Sequence, residues 1–243
     1  MTGIMELAEA SMINGMERLN VISHNLANAN TIGFKRDIAI SNTFESHLLS
    51  ALQNPATIES GSLKSSRQTD MSSGMLKYTG QQFDFSIEGD GYFQLQGSNG
   101  NVYTRNGAFM LDASGRLVNS SGMAVLTEAG EVHFGGGTVF VDGEGQIWED
   151  DRMVDKFRIV KFINPDALEK QGGGIYRYNG VGMIEAADAN LRVRQGYLET
   201  SNVVAMDEMV NMISTMRHFE INQHVVKGYD DMLDTAIQTL GEF

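Results

Sequence analysis

The sequence has 243 residues, enough to bury a substantial core in one or two domains. Its formal net charge is -13 and it shows no basic stripe, so nucleic acid and anionic membrane surfaces are not expected partners. The absence of cysteine excludes disulfides, thiolate metal sites and cysteine nucleophiles. No apolar run approaches the roughly 20 residues that span a bilayer, and the N-terminus lacks the pattern of a cleaved secretory signal, which by itself indicates the cytoplasm.

An amphipathic helix is predicted at the start of the chain, from about Gly3 to Ala29. Its apolar and small residues recur with alternating spacings of three and four, which is typical of the seam of a coiled coil. The predicted seam residues are Met5, Ala8, Met12, Gly15, Leu19, Ile22, Leu26 and Ala29. Asn28, Asn30 and Gly33 are predicted to end the helix, because Asn and Gly tolerate the left-handed backbone that closes one. Phe34 then supplies an apolar anchor.

The same spacing returns in a second helix, predicted near the end of the chain. Its seam residues are Met209, Met212, Met216, Phe219, Gln223, Val226, Asp230, Leu233, Ile237 and Leu240. Two unsatisfied seams at opposite ends of one chain are most simply satisfied by pairing with each other. The residues predicted to face the N-terminal helix are Met216, Phe219, Val226 and Leu233.

Two positions of this second seam, Gln223 and Asp230, are polar. Burying an unpaired carboxylate in a dry core costs several kcal/mol, so Asp230 is not expected to face one. Two alternatives are open at these positions: a polar partner that fixes the register of the helices, or a wet cavity lined by the second helix.

The chain between the two helices changes character twice. Residues 36–75 are expected to form a linker, with a short amphipathic helix containing Phe44, Leu48 and Leu52 and then a loop rich in Ser, Thr and Gly. Residues 76–199 alternate in polarity between closely spaced turn signals, which predicts an antiparallel β domain with a central strand in segment 157–162. The predicted fold is therefore α+β: residues 1–35 and 200–243 form a helical domain, and the β domain is inserted between them.

Four segments together resemble one known family. The run from Asn25 to Lys35 is similar to the signature of flagellar rod and hook axial proteins, and its signature residues are Asn25, Leu26, Asn28, Asn30, Gly33 and Phe34. Segments 85–93 and 103–109 resemble the middle domain of that family, with 85–93 as its first hairpin. Segment 195–203 resembles the return into the C-terminal helix. The motifs occur in the same order as in the family and cover nearly the whole chain.

The resemblance implies a structural subunit that polymerises through paired terminal helices into the axial shaft of the flagellar basal body. It implies as partners other rod proteins, further copies of the chain and, during secretion, the flagellar export apparatus. It also implies a periplasmic location reached by type III export without a cleaved signal, which overrides the cytoplasmic indication. In such proteins the C-terminal helices form the innermost layer around the export channel, so Gln223 or Asp230 is expected to face that channel.

The length of the chain narrows its place within the family. Hook proteins usually have a longer middle domain, and inner rod proteins with almost no middle domain are shorter. Two classes of intermediate length remain, one in the proximal rod and one in the distal rod, with a short hook-type protein as a further alternative. Segments 125–130 and 212–220 resemble the proximal class more than the distal one.

No catalytic, cofactor or metal site is predicted. The five histidines lack the spacing of a zinc site, and the glycine-rich segments lack the pattern of a phosphate or dinucleotide loop. Acidic pairs at Glu88 with Asp90 and at Asp150 with Asp151 resemble glycosidase carboxylates only in residue type, since acids are common in surface turns. A carbohydrate-binding β module of the cell envelope is the alternative from a different class, but such a module has no need of two unsatisfied helical seams.

Overall fold

Two long helices frame a chain of short strands, which makes the fold α+β. The computed structural model describes residues 2–40, 66–98, 100–180, 182–185 and 191–241. The helices are α1 (Thr2–Ala27) and α2 (Ala205–Gly241). The strands are β1 (Asp37–Ile40), β2 (Ser66–Thr69), β3 (Leu76–Tyr78), β4 (Phe85–Glu88), β5 (Tyr92–Gly97), β6 (Gly100–Thr104), β7 (Met110–Leu111), β8 (Leu117–Val118), β9 (Val139–Val141), β10 (Gln146–Glu149), β11 (Arg152–Lys156), β12 (Ile159–Phe162), β13 (Leu168–Gly172), β14 (Ile175–Tyr178), β15 (Met183–Glu185), β16 (Arg192–Gln195) and β17 (Tyr197–Glu199). Neither helix is apolar enough over its described length to cross a bilayer.

The described chain divides into two compact units. The helical unit contains residues 2–27, 37–40, 66–68 and 204–241, and the β unit contains residues 28–36 and the described part of 69–203. Strands β1 and β2 pair with each other where a linker of helix and loop was predicted. The short helix predicted around Phe44, Leu48 and Leu52 lies outside the described residues.

Helix α1 ends at Ala27, two residues before the predicted end. Asn28 then accepts hydrogen bonds from Thr31, through its backbone oxygen at 3.0 Å and its side-chain oxygen at 3.2 Å. Among the described non-glycine residues only Asp150 and Asp151 have positive φ, so Asn28 and Asn30 do not adopt the predicted left-handed conformation. Gly33 adopts it, with a φ of 66°.

Alternating polarity in the middle of the chain produces the β unit. Its largest sheet has six strands in the order β13-β14-β6-β5-β12-β15, and the sheet β11-β10-β9 lies apart from it in hydrogen bonding. Strand β12 pairs on both sides, as predicted for segment 157–162. The main core cluster is made of buried apolar side chains from several sheets, including Phe85, Phe93, Leu95, Leu117, Val125, Val141, Ile147 and Phe157.

Segment 85–93 does not form the predicted hairpin. Strand β4 pairs with β16, whereas β5 pairs with β6 and β12, so the turn between β4 and β5 joins two different sheets. Gly89 has a φ of 107°, and Gly91 packs so closely that a Cβ there would lie 2.5 Å from Ile159 Cγ2. These two glycines let the chain turn sharply from one sheet into the other.

Helices α1 and α2 pack along a seam that differs from the predicted one at every second position. The inward side chains of α2 are Glu208, Met212, Thr215, Phe219, Asn222, Val226 and Tyr229, with alternating spacings of four and three. Met212, Phe219 and Val226 agree with the prediction. The other predicted members are exposed and lie one residue after an inward polar or aromatic residue: Met209, Met216, Gln223 and Asp230. Side chains of Met5, Leu233, Ile237 and Leu240 lie outside the described part of the structure.

Partners across the helix pair explain why the polar residues face inward. The Asn222 amide donates to Ser11 Oγ at 2.9 Å, and Glu208 accepts from the Asn25 amide at 3.3 Å. Glu208 is buried, so this partner spares it the penalty of an unmade hydrogen bond, whereas the Asn222–Ser11 bond lies at the exposed margin of the pair. The Phe219 ring packs over Gly15, where an added Cβ would sit 3.9 Å from Cδ2.

Candidate assembly site

Asn25, near the end of α1, holds the helical unit together at a point where three elements meet. Its side chain is 1% exposed. Its amide donates to the Asp37 carbonyl at 2.8 Å, and its side-chain oxygen accepts from the Asp37 N–H at 2.8 Å. The same amide also donates to Glu208 on α2. Only a side chain that both donates and accepts makes this set of bonds, which explains why an asparagine stands here.

A buried ion triad of Lys35, Glu199 and Arg105 lies in the β unit, close to the points where the chain leaves that unit after Arg36 and after Val203. These side chains are 0%, 1% and 2% exposed. The Lys35 ammonium lies 2.5 Å from Glu199 Oε1, and an Arg105 guanidinium nitrogen lies 3.4 Å from Glu199 Oε2. One carboxylate is therefore shared by two cations.

Backbone groups complete this triad. Lys35 donates to the Ser72 carbonyl at 2.7 Å, Arg105 donates to the Gly89 carbonyl at 2.7 Å, and Glu199 accepts from the Gly74 N–H at 2.8 Å. Burial lowers the pKa of Lys35, and the attraction of Glu199 opposes that shift. Because isolated buried charges are so costly, the carbonyls and the shared carboxylate are what make this cluster tolerable.

Gly33 and Phe34 fix the segment that carries Lys35. The Gly33 N–H donates to the Glu199 carbonyl at 2.8 Å. A Cβ on Gly33 would lie 2.6 Å from the backbone nitrogen of Asn106, so only glycine fits at this approach. Phe34 is buried, and the Lys170 ammonium lies 4.6 Å from the centre of its ring. Phe34, which was predicted to be an apolar anchor, therefore lies buried beneath the Lys170 ammonium.

Exposed apolar side chains lie in a stripe along the first half of α2. They are Met206, Met209, Val210, Ile213 and Met216, and each is between 46% and 71% exposed. Ile13 and Met16 are similarly exposed on α1. Contiguous exposed apolar surface of this kind marks a protein interaction site. Met209 and Met216, predicted as seam residues, belong to this outward stripe.

The other predicted site residues differ in how far they are buried. Ile22 is buried, Met12, Leu19 and Leu26 are half-buried, and Gln223 and Asp230 are exposed. Asn30 is exposed beyond the end of α1.

Sequence reasoning missed four charged residues at the centre of these contacts. They are Lys35, Arg105, Glu199 and Glu208. Three of them, Lys35, Arg105 and Glu199, stand inside the segments that carried the family resemblance. Lys35 and Glu199 each follow a buried apolar residue, Phe34 and Leu198, which is the one signal that could have identified them.

Comparison with known families gives three matches along the chain. The family model for flagella basal body rod proteins matches residues 5–35, and that for the D1 domain of the flagellar hook protein FlgE/F/G matches residues 86–150. The model for the C-terminal region of flagellar basal body rod FlgEFG proteins matches residues 194–239. Each matched region contributes one member of the ion triad: Lys35, Arg105 and Glu199.

Curated relatives are similar in sequence to this chain along almost its full length. The flagellar basal-body rod protein FlgG of Buchnera aphidicola subsp. Schizaphis graminum is 33% identical over 95% of both chains. FlgG of Bacillus subtilis is 31% identical over 94% of this chain and 95% of its own. FlgF of Mesorhizobium japonicum is 30% identical over 92% of both. These relatives are structural rod proteins, not enzymes.

Proposed function

This chain belongs to the flagellar basal-body rod protein family, and from that membership we propose that it is a rod subunit polymerising through α1 and α2 into the axial shaft. Membership of the family implies assembly with other flagellar rod proteins. The observation that carries the proposal is the helical unit itself. The two chain ends pack together there, and α2 still exposes an apolar stripe. A polymer in which neighbouring subunits cover that stripe removes the apolar surface from water.

The helix pair is proposed to be a two-stranded coiled coil. Alternating spacings of four and three along the inward face of α2 support this pairing. Polar seam residues such as Asn222, bonded to Ser11, fix the register of the two helices, as single polar residues do in other coiled coils. The domain division remains a proposal: a helical domain of 1–35 with 200–243, a linker of 36–75 and an inserted β domain of 76–199. The compact β unit also takes in residues 28–36, 69–75 and 200–203.

The subunit is proposed to be FlgF-like and to occupy the proximal rod. Segments 125–130 and 212–220 resemble that class, and relatives named FlgF align over more than nine-tenths of the chain. A distal-rod role like that of FlgG is the second candidate, favoured by the identity of 33% to the Buchnera FlgG.

The cellular setting is proposed from the family as well. The chain leaves the cytoplasm through the flagellar export apparatus and is placed in the periplasmic part of the basal body, with no cofactor and no nucleic-acid partner. Gln223 and Asp230 are exposed beside the seam rather than packed against α1, which supports the proposal that they line the export channel.

Deletion of the gene from its host tests the role and separates the two candidates. Cells without a rod subunit are expected to lose motility and to regain it with the wild-type chain. Arrested basal bodies are then isolated and their proteins identified by mass spectrometry. Loss of a proximal subunit removes all distal rod protein from these particles, whereas loss of a distal subunit leaves proximal rod proteins in place. Full motility after deletion would exclude both candidates.

A further inference from the structure

We propose that Asn179 is a site of spontaneous covalent modification, where the folded chain slowly loses ammonia and gains a carboxylate. An asparagine followed by glycine is the most reactive pair for this reaction, because glycine has no side chain to hinder its backbone nitrogen. The sequence contains four such pairs, at Asn14, Asn99, Asn106 and Asn179. The fold decides which of them can react, and the inference goes beyond the rod role without resting on it.

The reaction needs only the chain and water. The backbone nitrogen of Gly180 attacks the side-chain carbonyl carbon Cγ of Asn179, and the new C–N bond closes a succinimide ring. The side-chain nitrogen leaves as ammonia and takes the proton of the backbone N–H with it. Water then opens the ring at either carbonyl. One opening gives aspartate, and the other gives isoaspartate, in which the main chain runs through the former side chain.

Asn179 and Gly180 follow directly after β14, and both are exposed. The Asn179 N–H donates to the Ala167 carbonyl at 3.2 Å, which fixes the chain up to that residue. Within the described residues, no hydrogen bond holds the Asn179 side chain or the Gly180 N–H. Ring closure requires these two groups to turn toward each other, so the turn leaves Asn179 free to react.

The pair of Asn106 with Gly107 is held on every side. The Asn106 side-chain oxygen accepts from the Ala108 N–H at 3.0 Å, and the Asn106 N–H donates to Thr104 Oγ1 at 3.0 Å. Gly107 is buried, and an added Cβ there would lie 1.7 Å from the Phe85 carbonyl oxygen. These contacts oppose the rotations that ring closure requires, so the fold protects Asn106.

Asn106 and Asn179 can be compared directly, because both belong to the β unit. Asn14 lies instead in α1, where the N–H of the next residue is engaged in the hydrogen bonding of the helix. Asn99 lies outside the described residues. One folded unit therefore holds one asparagine–glycine pair clamped and another open.

Modification of Asn179 is expected to loosen one end of the largest sheet. Leu168 lies opposite Tyr178 at the end of the pair β13–β14, directly before Asn179. The Tyr178 hydroxyl donates to the Gly182 carbonyl at 3.4 Å, so the chain folds back toward Tyr178 after Asn179. Isoaspartate adds a carbon to the main chain inside this turn. Modified chains should therefore exchange amide hydrogens faster at the end of β14 than unmodified chains, and equal exchange would contradict this consequence.

Incubation of the purified chain in warm, mildly alkaline buffer tests the proposal, because base removes the backbone amide proton before the attack. Digestion in acid and peptide mass spectrometry then measure the loss of side-chain amide at each asparagine. Asn179 is expected to react at least about tenfold faster than Asn106, since reaction at Asn106 first requires the opening of buried structure. Labelling by a protein isoaspartyl methyltransferase detects the isoaspartate product.

Three controls separate the effect of the fold from that of the local sequence. Incubation in concentrated urea should bring the two rates close together, because the unfolded chain clamps neither pair. Thr104→Val removes the hydroxyl that accepts from the Asn106 N–H, and it should speed the reaction at Asn106 about fivefold while leaving Asn179 unchanged. Asn179→Gln should abolish the mass change at that position, because the longer side chain closes its ring far more slowly.

Equal rates at Asn106 and Asn179 in the folded chain would overturn the proposal. An Asn179 that stays intact in the folded chain but reacts in urea would overturn it as well, because the turn would then protect that residue. Products without isoaspartate would exclude the succinimide route and with it the proposed chemistry. The rod role is unaffected by any of these results, since deletion of the gene tests it separately.

Discussion

Glu199 is the one carboxylate that pairs with both Lys35 and Arg105 in the β unit. Replacing Glu199 by Gln removes the negative charge and leaves two buried cations facing each other. The expected loss in free energy of unfolding is about 3–5 kcal/mol, typical of breaking a buried ion pair by removing one partner. Urea unfolding followed by circular dichroism measures this loss.

Glu88→Gln is the matched control for that change. Glu88 also pairs with an arginine, Arg194, at 2.8 Å, but both side chains are partly exposed. Its loss should cost less than about 1 kcal/mol, as for surface ion pairs. Similar losses for both variants would show that burial of the triad does not set its energy.

Asp70 is expected to make the stability of the β unit depend on pH in the acid range. Burial opposes ionisation of this carboxyl, but hydrogen bonds from Ser72 and Arg36 outweigh it and hold its pKa below the usual value. A carboxyl with a lowered folded-state pKa stabilises the fold above its unfolded-state pKa of about 3.9 and loses that contribution as pH falls through the folded-state pKa. The stability difference between wild type and Asp70→Asn should therefore shrink below about pH 4.

Unfolding curves between about pH 3 and pH 7 measure this difference. Asp90→Asn is the control, because Asp90 is 77% exposed and its ion pair with Lys161 is a surface contact. A difference for Asp70→Asn that stays constant down to pH 3 would contradict the proposed role of its hydrogen bonds.

The turn after α1 depends on Gly33 for two separate reasons, its positive φ and its closeness to the backbone of Asn106. Gly122 shares only the first reason, because its φ is 77° and no atom lies within 4 Å of an added Cβ. Gly122→Ala should cost about 1–2 kcal/mol for the strained backbone alone. Gly33→Ala should cost clearly more and should increase amide hydrogen exchange in residues 28–36. Equal costs would show that the close approach relaxes easily.

Two residues one turn apart on α2, Phe219 and Met216, differ in their contact with α1. Phe219 packs over Gly15, whereas Met216 is 47% exposed. Phe219→Ala should destabilise the helix pair by about 2 kcal/mol, roughly half the cost at a fully buried site. Met216→Ala should leave the pair's thermal unfolding unchanged but reduce incorporation into basal bodies. A loss of helix pairing in Met216→Ala would restore the seam predicted from the sequence.

The helices and the β character of the middle follow from local periodicity, which a single sequence displays. The register of the helix seam is harder to predict from the sequence, because the spacing of apolar residues favours Met209 and Met216 over Glu208 and Thr215. The partner that satisfies Glu208 is Asn25, 183 residues away. Strand pairing has the same limitation: segment 85–93 reads as a hairpin, yet β4 pairs with β16 far along the chain. The ion triad joins three such distant segments, so only the folded chain reveals it.

At the scale of the whole assembly, the exposed position of Asp230 bears on the channel. Asp230→Leu should preserve helix pairing and rod assembly, because Asp230 does not pack against α1. It should alter the passage of later export substrates if the side chain lines the channel. Asp231→Leu is the matched control, since this neighbouring exposed acid points about 100° away around the helix.

Filament length in cells that carry each variant, with rods counted by electron microscopy, measures this effect. Loss of rods in Asp230→Leu would instead assign Asp230 a role in subunit contact. Equal changes in export for both variants would show that general negative charge matters and not the position of Asp230.

The hydrogen bond from Gly33 to Glu199 has a consequence for how such chains diversify. It places Gly33 and Glu199 2.8 Å apart, from N to O, and the Thr200 N–H donates to the Met75 carbonyl at 2.8 Å, so segment 75–200, which carries most of the β unit, begins and ends at one point. A segment whose two ends meet is an insertion that can grow, shrink or be exchanged without changing the spacing between the chains that carry it. Selection can therefore change the size of the β unit while the paired helices keep one register. The same pair of helices can then carry β domains of different sizes.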